Sequence, residues 1–288
     1  MKVHRIILAL WLSAACFAVA ATGHVTDNEA GPTGAAIERI YRAAVENQDP
    51  AAMYTLGNMF DAGVGVAQNY EEAFKWYSRA ADLGSGEAMN CLGIAYAQGQ
   101  GVPRSYDLSF QWFLKAVHHG SVNAMSNIAI AYFVGAGRPV DYPEAARWFE
   151  RAAMHGDASA MNNLALQYAK GLGVMQNRQI ALALFEHSAA LGHPRAMENL
   201  GILYEKGEGV QQDRLVAYAW MEAALEAGLQ GEDRDAVAGE MDALAARLGA
   251  KDLAQVRKLV AAISAEVTHH HPSREARPDS VPLKPNVL

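Results

Sequence analysis

A period constrains this chain more than anything else in it: shifted by 36 residues, the sequence lies over itself without gaps. A glycine pair recurs as Gly63/Gly65, Gly99/Gly101, Gly135/Gly137, Gly171/Gly173 and Gly207/Gly209. Ahead of it run Ala52-Met53, Ala88-Met89, Ala124-Met125, Ala160-Met161 and Ala196-Met197. An aliphatic column follows in Leu56, Leu92, Ile128, Leu164 and Leu200, and an aromatic one in Phe60, Tyr96, Tyr132, Tyr168 and Tyr204. Tandem copies of a period that holds one supersecondary unit predict an array.

Each copy reads as two helices. Met53, Leu56, Gly57 and Phe60 form one apolar stripe at i, i+3, i+4, i+7. Ala73, Trp76, Tyr77, Ala80 and Ala81 form a second, and its Trp column, Trp76, Trp112, Trp148 and Trp220, reads as core. Asn69, Ser105, Asp141, Asn177 and Asp213 precede the second helices and can cap free backbone N–H groups. Asp49, Ser85, Ser121, Asp157 and His193 precede the first helices; four are good caps, and His193 is the odd one. The glycine pair is then a left-handed helix stop. A phosphate loop would need a following Lys-Ser/Thr, which no copy has.

The chain also has ends. Lys2 and Arg5 precede an apolar run from Ile6 to Ala20 that closes on small residues, the pattern of a secretory signal peptide cleaved before Ala21. A lipoprotein reading would use Cys16, but Ser13 stands where such signals carry Leu. Cleavage removes two basic residues, so the net charge becomes 22 − 31 = −9, which repels nucleic acid and anionic lipid. It also leaves Cys91 as the only cysteine, a spectator without an intramolecular disulfide. The expected layout is a signal peptide over 1–20, a linker over 21–32 and an N-terminal capping helix over 33–47. Five repeats follow over 48–83, 84–119, 120–155, 156–191 and 192–227, then capping helices over 228–265 and a disordered tail over 266–288. The N-terminal helix matches only a second helix, with Ile37, Ile40, Tyr41 and Ala44 in the columns of Ala73, Trp76, Tyr77 and Ala80.

The string A-M-x-x-L-G-x-x-Y-x-x-G-x-G-V, followed by Y-x-x-A-x-x-W-F-x-x-A, resembles the Sel-one-like repeat (SLR) family, a branch of the tetratricopeptide superfamily. Departures are mild: Arg138 replaces the usual Val, Ala129 and Ala165 replace Gly, and Leu184 replaces an aromatic residue. The resemblance implies an all-α fold, a right-handed α/α superhelical solenoid. It also implies an adaptor or regulator that binds a protein or peptide partner on a concave face lined by first helices. For exported members it implies roles in signalling, envelope assembly or polysaccharide control. A rival is a cell-wall or β-lactam hydrolase of the kind associated with cysteine-rich relatives, whose paired cysteines are missing here.

On that geometry two columns face the partner. One holds Tyr54, Asn90, Ser126, Asn162 and Glu198; the next holds Asn58, Ile94, Ile130, Leu166 and Ile202. Amides beside an aliphatic row suit an extended peptide. The alternative is that the aliphatic row packs between neighbouring first helices. His118, His119, His155 and His187 have no acidic or nucleophilic partner at readable spacing, and His269, His270 and His271 lack a built site. The sequence thus predicts no cofactor, no catalytic residue, no metal, no nucleic-acid partner and no membrane span, with a periplasmic location.

Overall fold

The computed structural model describes residues 34–270. The expected signal peptide, the linker and the end of the tail lie outside them. Among the described residues the chain forms 13 helices and no strand. Helix α1 is Gly34–Glu46. Five pairs follow: α2 Pro50–Ala62 with α3 Tyr70–Asp82, α4 Gly86–Gln98 with α5 Tyr106–His118, α6 Val122–Val134 with α7 Tyr142–Met154, α8 Ala158–Lys170 with α9 Arg178–Ala190, and α10 Pro194–Lys206 with α11 Arg214–Glu226. Helices α12 Gly231–Ala245 and α13 Ala250–His270 close the described chain. Helix α13 reaches beyond Glu266, where the sequence suggested that the tail begins.

Local chemistry sets these boundaries. Asn69, Asn177 and Asp213 each accept from two backbone N–H groups of the helix they start, and Ser105 accepts from Leu108 N. Among the first helices the expected ranking of caps inverts at two positions. Ser121 makes no side-chain cap bond, whereas His193 Nδ1 accepts from Ala196 N at 3.3 Å. A neutral imidazole has an acceptor nitrogen, so histidine can cap as long as it stays unprotonated. Each first helix ends on a left-handed glycine, φ 69–76° at Gly63, Gly99, Gly135, Gly171 and Gly207. The second glycine of the pair has a different reason. A Cβ on Gly101 would collide with the Tyr70 carbonyl, so this link lies directly on the start of the preceding second helix.

The chain divides into two compact units at Asp141/Tyr142. In the first, α2 packs on α3 and α4 on α5 within a repeat, while α1 on α2, α3 on α4 and α5 on α6 join consecutive repeats. Tyr96 and Tyr132 meet the preceding second helices edge-on, at 5.6 Å from Phe74 and 5.5 Å from Phe110. Arg138, the departure from Val, lays its guanidinium over the Phe110 and Tyr132 rings, so a long cation with a planar head fills an apolar position. Cys91 is buried on α4 and, in the full-length chain, disulfide-bonded, whereas its reading as a lone spectator thiol concerns the chain cleaved before Ala21. The chain's other cysteine, Cys16, lies outside the described residues.

The second unit repeats the pattern: α8 packs on α9 and α10 on α11, with α7 on α8 and α9 on α10 between repeats. Phe149, Phe185, Leu164, Leu184, Met197, Leu200 and Met221 are fully buried. Helix α13 packs on α11 through Val256 and Val260 against Ala219, with Leu215, Tyr218, Leu259 and Ile263 around them. Each unit is therefore an all-α stack of two-helix repeats.

Candidate functional site

First helices position every candidate binding residue, and the 100° turn between successive residues decides which way each column faces. The polar column turns inward. Asn90, Ser126 and Asn162 are buried, at 5%, 8% and 2% exposure, while Tyr54 and Glu198 at the ends are half-buried. A buried amide needs partners, and the neighbouring repeat supplies them. Asn127 Nδ2 donates to Asn90 Oδ1 at 2.8 Å in the first unit, and Asn199 Nδ2 donates to Asn162 Oδ1 at 2.9 Å in the second. Those amide oxygens are thus already bonded within the array.

The aliphatic column is the accessible one. Asn58, Ile94, Ile130, Leu166 and Ile202 are all half-buried, so part of each side chain meets solvent. This row lines α2, α4 and α6 in one unit and α8 and α10 in the other. Each unit thus has a row of aliphatic side chains in contact with solvent beside a sealed polar seam.

The ends of the two columns differ in charge behaviour. At α2, Tyr77 donates its hydroxyl to Asn58 Oδ1 at 2.9 Å, and the Tyr54 ring lies 6.1 Å from that of Tyr77. Burial raises the pKa of both phenols and of the Asp61 carboxyl, which favours the neutral form of each. At α10, burial pushes Glu198 up to about 7; Asp233 and Glu240 add to the rise and Arg195 opposes it. Arg195 pairs with Asp233 at 2.6 Å. Nearby, burial lowers His193 to about 4, with Arg195 assisting, and its Nε2 lies 3.1 Å from Ser159 Oγ. With Nδ1 accepting a backbone N–H, Nε2 carries the proton and donates to Ser159.

Other sequence candidates have simpler surroundings. His118, His119 and His155 are exposed, and His187 Nδ1 donates to Ala183 O at 3.0 Å. His269 and His270 close α13; His271 lies outside the described residues. Among the described residues no group of three His, Cys, Asp or Glu is placed to hold a metal ion, and no helix is long and apolar enough to cross a membrane. The Trp column is only partly core. Trp76 is buried, with Arg79 over its ring, but Trp112, Trp148 and Trp220 are half-buried, with Lys115 4.1 Å from the Trp112 ring centroid and Arg151 4.7 Å from that of Trp148. Sequence reasoning missed the donor side of the amide seam. Its signal was the repeated asparagine at 127, 163 and 199, in the column where Cys91 also falls.

The Sel1 repeat family model matches residues 50–85, 86–121, 122–157, 158–193 and 194–229. Among solved structures, a Sel1 repeat protein from Oxalobacter formigenes is 32% identical with a TM-score of 0.60, over 67% of this chain and 85% of that one. A protective antigen of uropathogenic Escherichia coli with an SLR fold is 28% identical with a TM-score of 0.60, over 82% of this chain. The match spans 57% of that longer structure. No curated protein matches the chain.

Proposed function

The chain belongs to the Sel1 repeat family, and from that premise we propose that it is an exported scaffold that binds a protein or peptide partner through the solvent-reaching faces of its first helices. The observation that carries this reading is the division of labour between two adjacent columns. Amide side chains are consumed in holding repeats together, while Ile94, Ile130, Leu166 and Ile202 keep apolar surface within reach of solvent. An apolar row held by rigid helices loses little conformational freedom on binding, so more of the contact energy survives as affinity. Export follows from the signal-like start, and the periplasm is the proposed location. There the partner would belong to a signalling, envelope or exopolysaccharide system.

The test is affinity capture from the native envelope with the mature chain and with its Ile130→Asp and Ile94→Asp variants, each checked by circular dichroism. Loss of one specific partner with helicity intact supports the reading. Equal capture by all three proteins refutes it, and loss of helicity would mark the residue as core.

A further inference from the structure

Among the described residues, the N-terminal edge of the array has an unfilled place in its packing pattern. In every complete repeat, one column of the second helix is sealed: Tyr77, Phe113, Phe149, Phe185 and Met221 are 0–3% exposed. At Tyr77, Phe113 and Met221 the seal is the first helix of the same repeat. A Cβ on Gly57 would collide with the Tyr77 ring, one on Gly93 with the Phe113 ring, and one on Gly201 with Met221. Helix α1 has the pattern of a second helix, and among the described residues no first helix precedes it. Its Tyr41, in that same column, is 52% exposed, and Val45 is 47% exposed where Ala81, Ala153 and Ala189 are buried. Ala44, on the side facing α2, is as fully buried as its counterparts Ala80, Ala116 and Ala152. One face of α1 is therefore packed and the other is open. An edge of the Tyr41 ring rests on Trp76 at 5.9 Å.

We propose that this open face of α1 is a docking site for a single amphipathic helix from a partner protein, which completes the missing first helix. The fold itself states the chemistry of that occupant. Where the packing is complete, the covering helix offers glycine or alanine to the aromatic side chain, one position after a leucine or isoleucine and four after a methionine, as in Met89, Leu92 and Gly93. In the chain cleaved before Ala21, as the export proposed above requires, the adjoining stretch does not have that form. Residues 21–33, ATGHVTDNEAGPT, are mostly polar, contain Gly23, Gly31 and Pro32, and carry no helical apolar stripe. Nor does a second copy offer a free first helix, since α2, α4, α8 and α10 are each packed on their own second helix. Thr55 stands in the column of Asn127 and Asn199, yet it bonds its own helix at Ala51 O, 2.8 Å away, and asks nothing of a preceding repeat. This site is separate from the first-helix faces proposed above.

The probe is a peptide of residues 86–98 carrying Cys91→Ser, titrated into the mature chain labelled with fluorotyrosine, with the Tyr41 resonance assigned through Tyr41→Phe. Because an isolated helix of this length is marginal in water, a second form tethers the same sequence ahead of residue 34 by a seven-residue link copied from residues 63–69, raising its effective concentration. The proposal expects a saturable shift at Tyr41, at least tenfold weaker binding for a Gly93→Trp peptide, loss of binding in Tyr41→Ala protein, and unchanged binding in Ile130→Asp protein. It is overturned if neither form moves Tyr41, or if Ile130→Asp and not Tyr41→Ala removes binding. It is also overturned if Tyr41 is already shielded in the free protein and becomes exposed on deleting 21–33, on deleting 271–288, or on dilution of a dimer.

Discussion

Replacing Asn162 by alanine removes the acceptor of an inter-repeat hydrogen bond and tests whether the amide seam holds the array together. Asn162 is 2% exposed and accepts from Asn199 Nδ2 at 2.9 Å. Net loss of a neutral hydrogen bond costs about 1 kcal/mol. The void left by a truncated buried side chain adds roughly another 1 kcal/mol. Asn199 is half-buried, so water can reach its released amide and the stranded donor costs little more. Asn162→Ala should therefore cost about 2 kcal/mol. Asn199→Ala strands a fully buried acceptor, which costs about 1–3 kcal/mol. In the double variant neither group is stranded, so the pair should show a coupling of about 1–2 kcal/mol. Urea unfolding of the mature chain and the three variants measures it, with midpoint shifts on the order of 1 M for the single changes. Additivity within about 0.3 kcal/mol would refute the argument, because two side chains that do not interact must add.

Three further outcomes follow from the packing and the charges. His193 is neutral in the folded chain, with its pKa lowered to about 4, so its contribution, on the order of 3 kcal/mol, is present above pH 6.5 and lost as pH falls toward 4. Glu198, raised to about 7, has the opposite sign: its contribution, about 2 kcal/mol after discounting for its partial exposure, is present below pH 4.5 and lost as pH rises through 7. The two nearly cancel between those limits, so chemical denaturation should show His193→Asn losing stability as pH rises and Glu198→Gln gaining it; parallel profiles would sink both assignments. Gly173→Ala and Gly156→Ala both place a side chain at positive φ, 76° and 82°, which costs about 1–2 kcal/mol. Only at Gly173 does the new Cβ meet backbone, that of Tyr142 and Pro143, so its thermal unfolding midpoint should fall clearly further than that of Gly156→Ala. Phe149→Ala empties a fully buried site and should cost about 3–5 kcal/mol in urea unfolding; a cost below about 1 kcal/mol would contradict its place in the core.

What the residues revealed and what they hid have separate physical causes. Helix starts and stops were legible because they depend on contacts a few residues apart, such as Asn69 with Glu71 and Glu72 or the left-handed turn at Gly99. Column membership was legible as well, because the period is free of insertions. The direction each column faces was not, since it depends on a neighbour 36 or 37 residues away. Asn90 and Ile94 lie one turn apart on one helix, yet one is sealed by Asn127 and the other reaches solvent. Capping by His193 was hidden for a similar reason: its neutral form is maintained by burial and by Arg195, neither of which its residue type discloses. The open side of Tyr41 was hidden too, because column membership alone assigns it the buried fate of Tyr77.

In the function proposed above, this chain works by presenting the faces of its first helices to a partner. Hydrogen exchange on the mature chain, alone and saturated with its captured partner, tests that most directly. Added protection should concentrate in α4, α6, α8 and α10 and be lost together with binding in Ile130→Asp. Protection confined to the second helices, or a partner consumed and released as altered product, would contradict it.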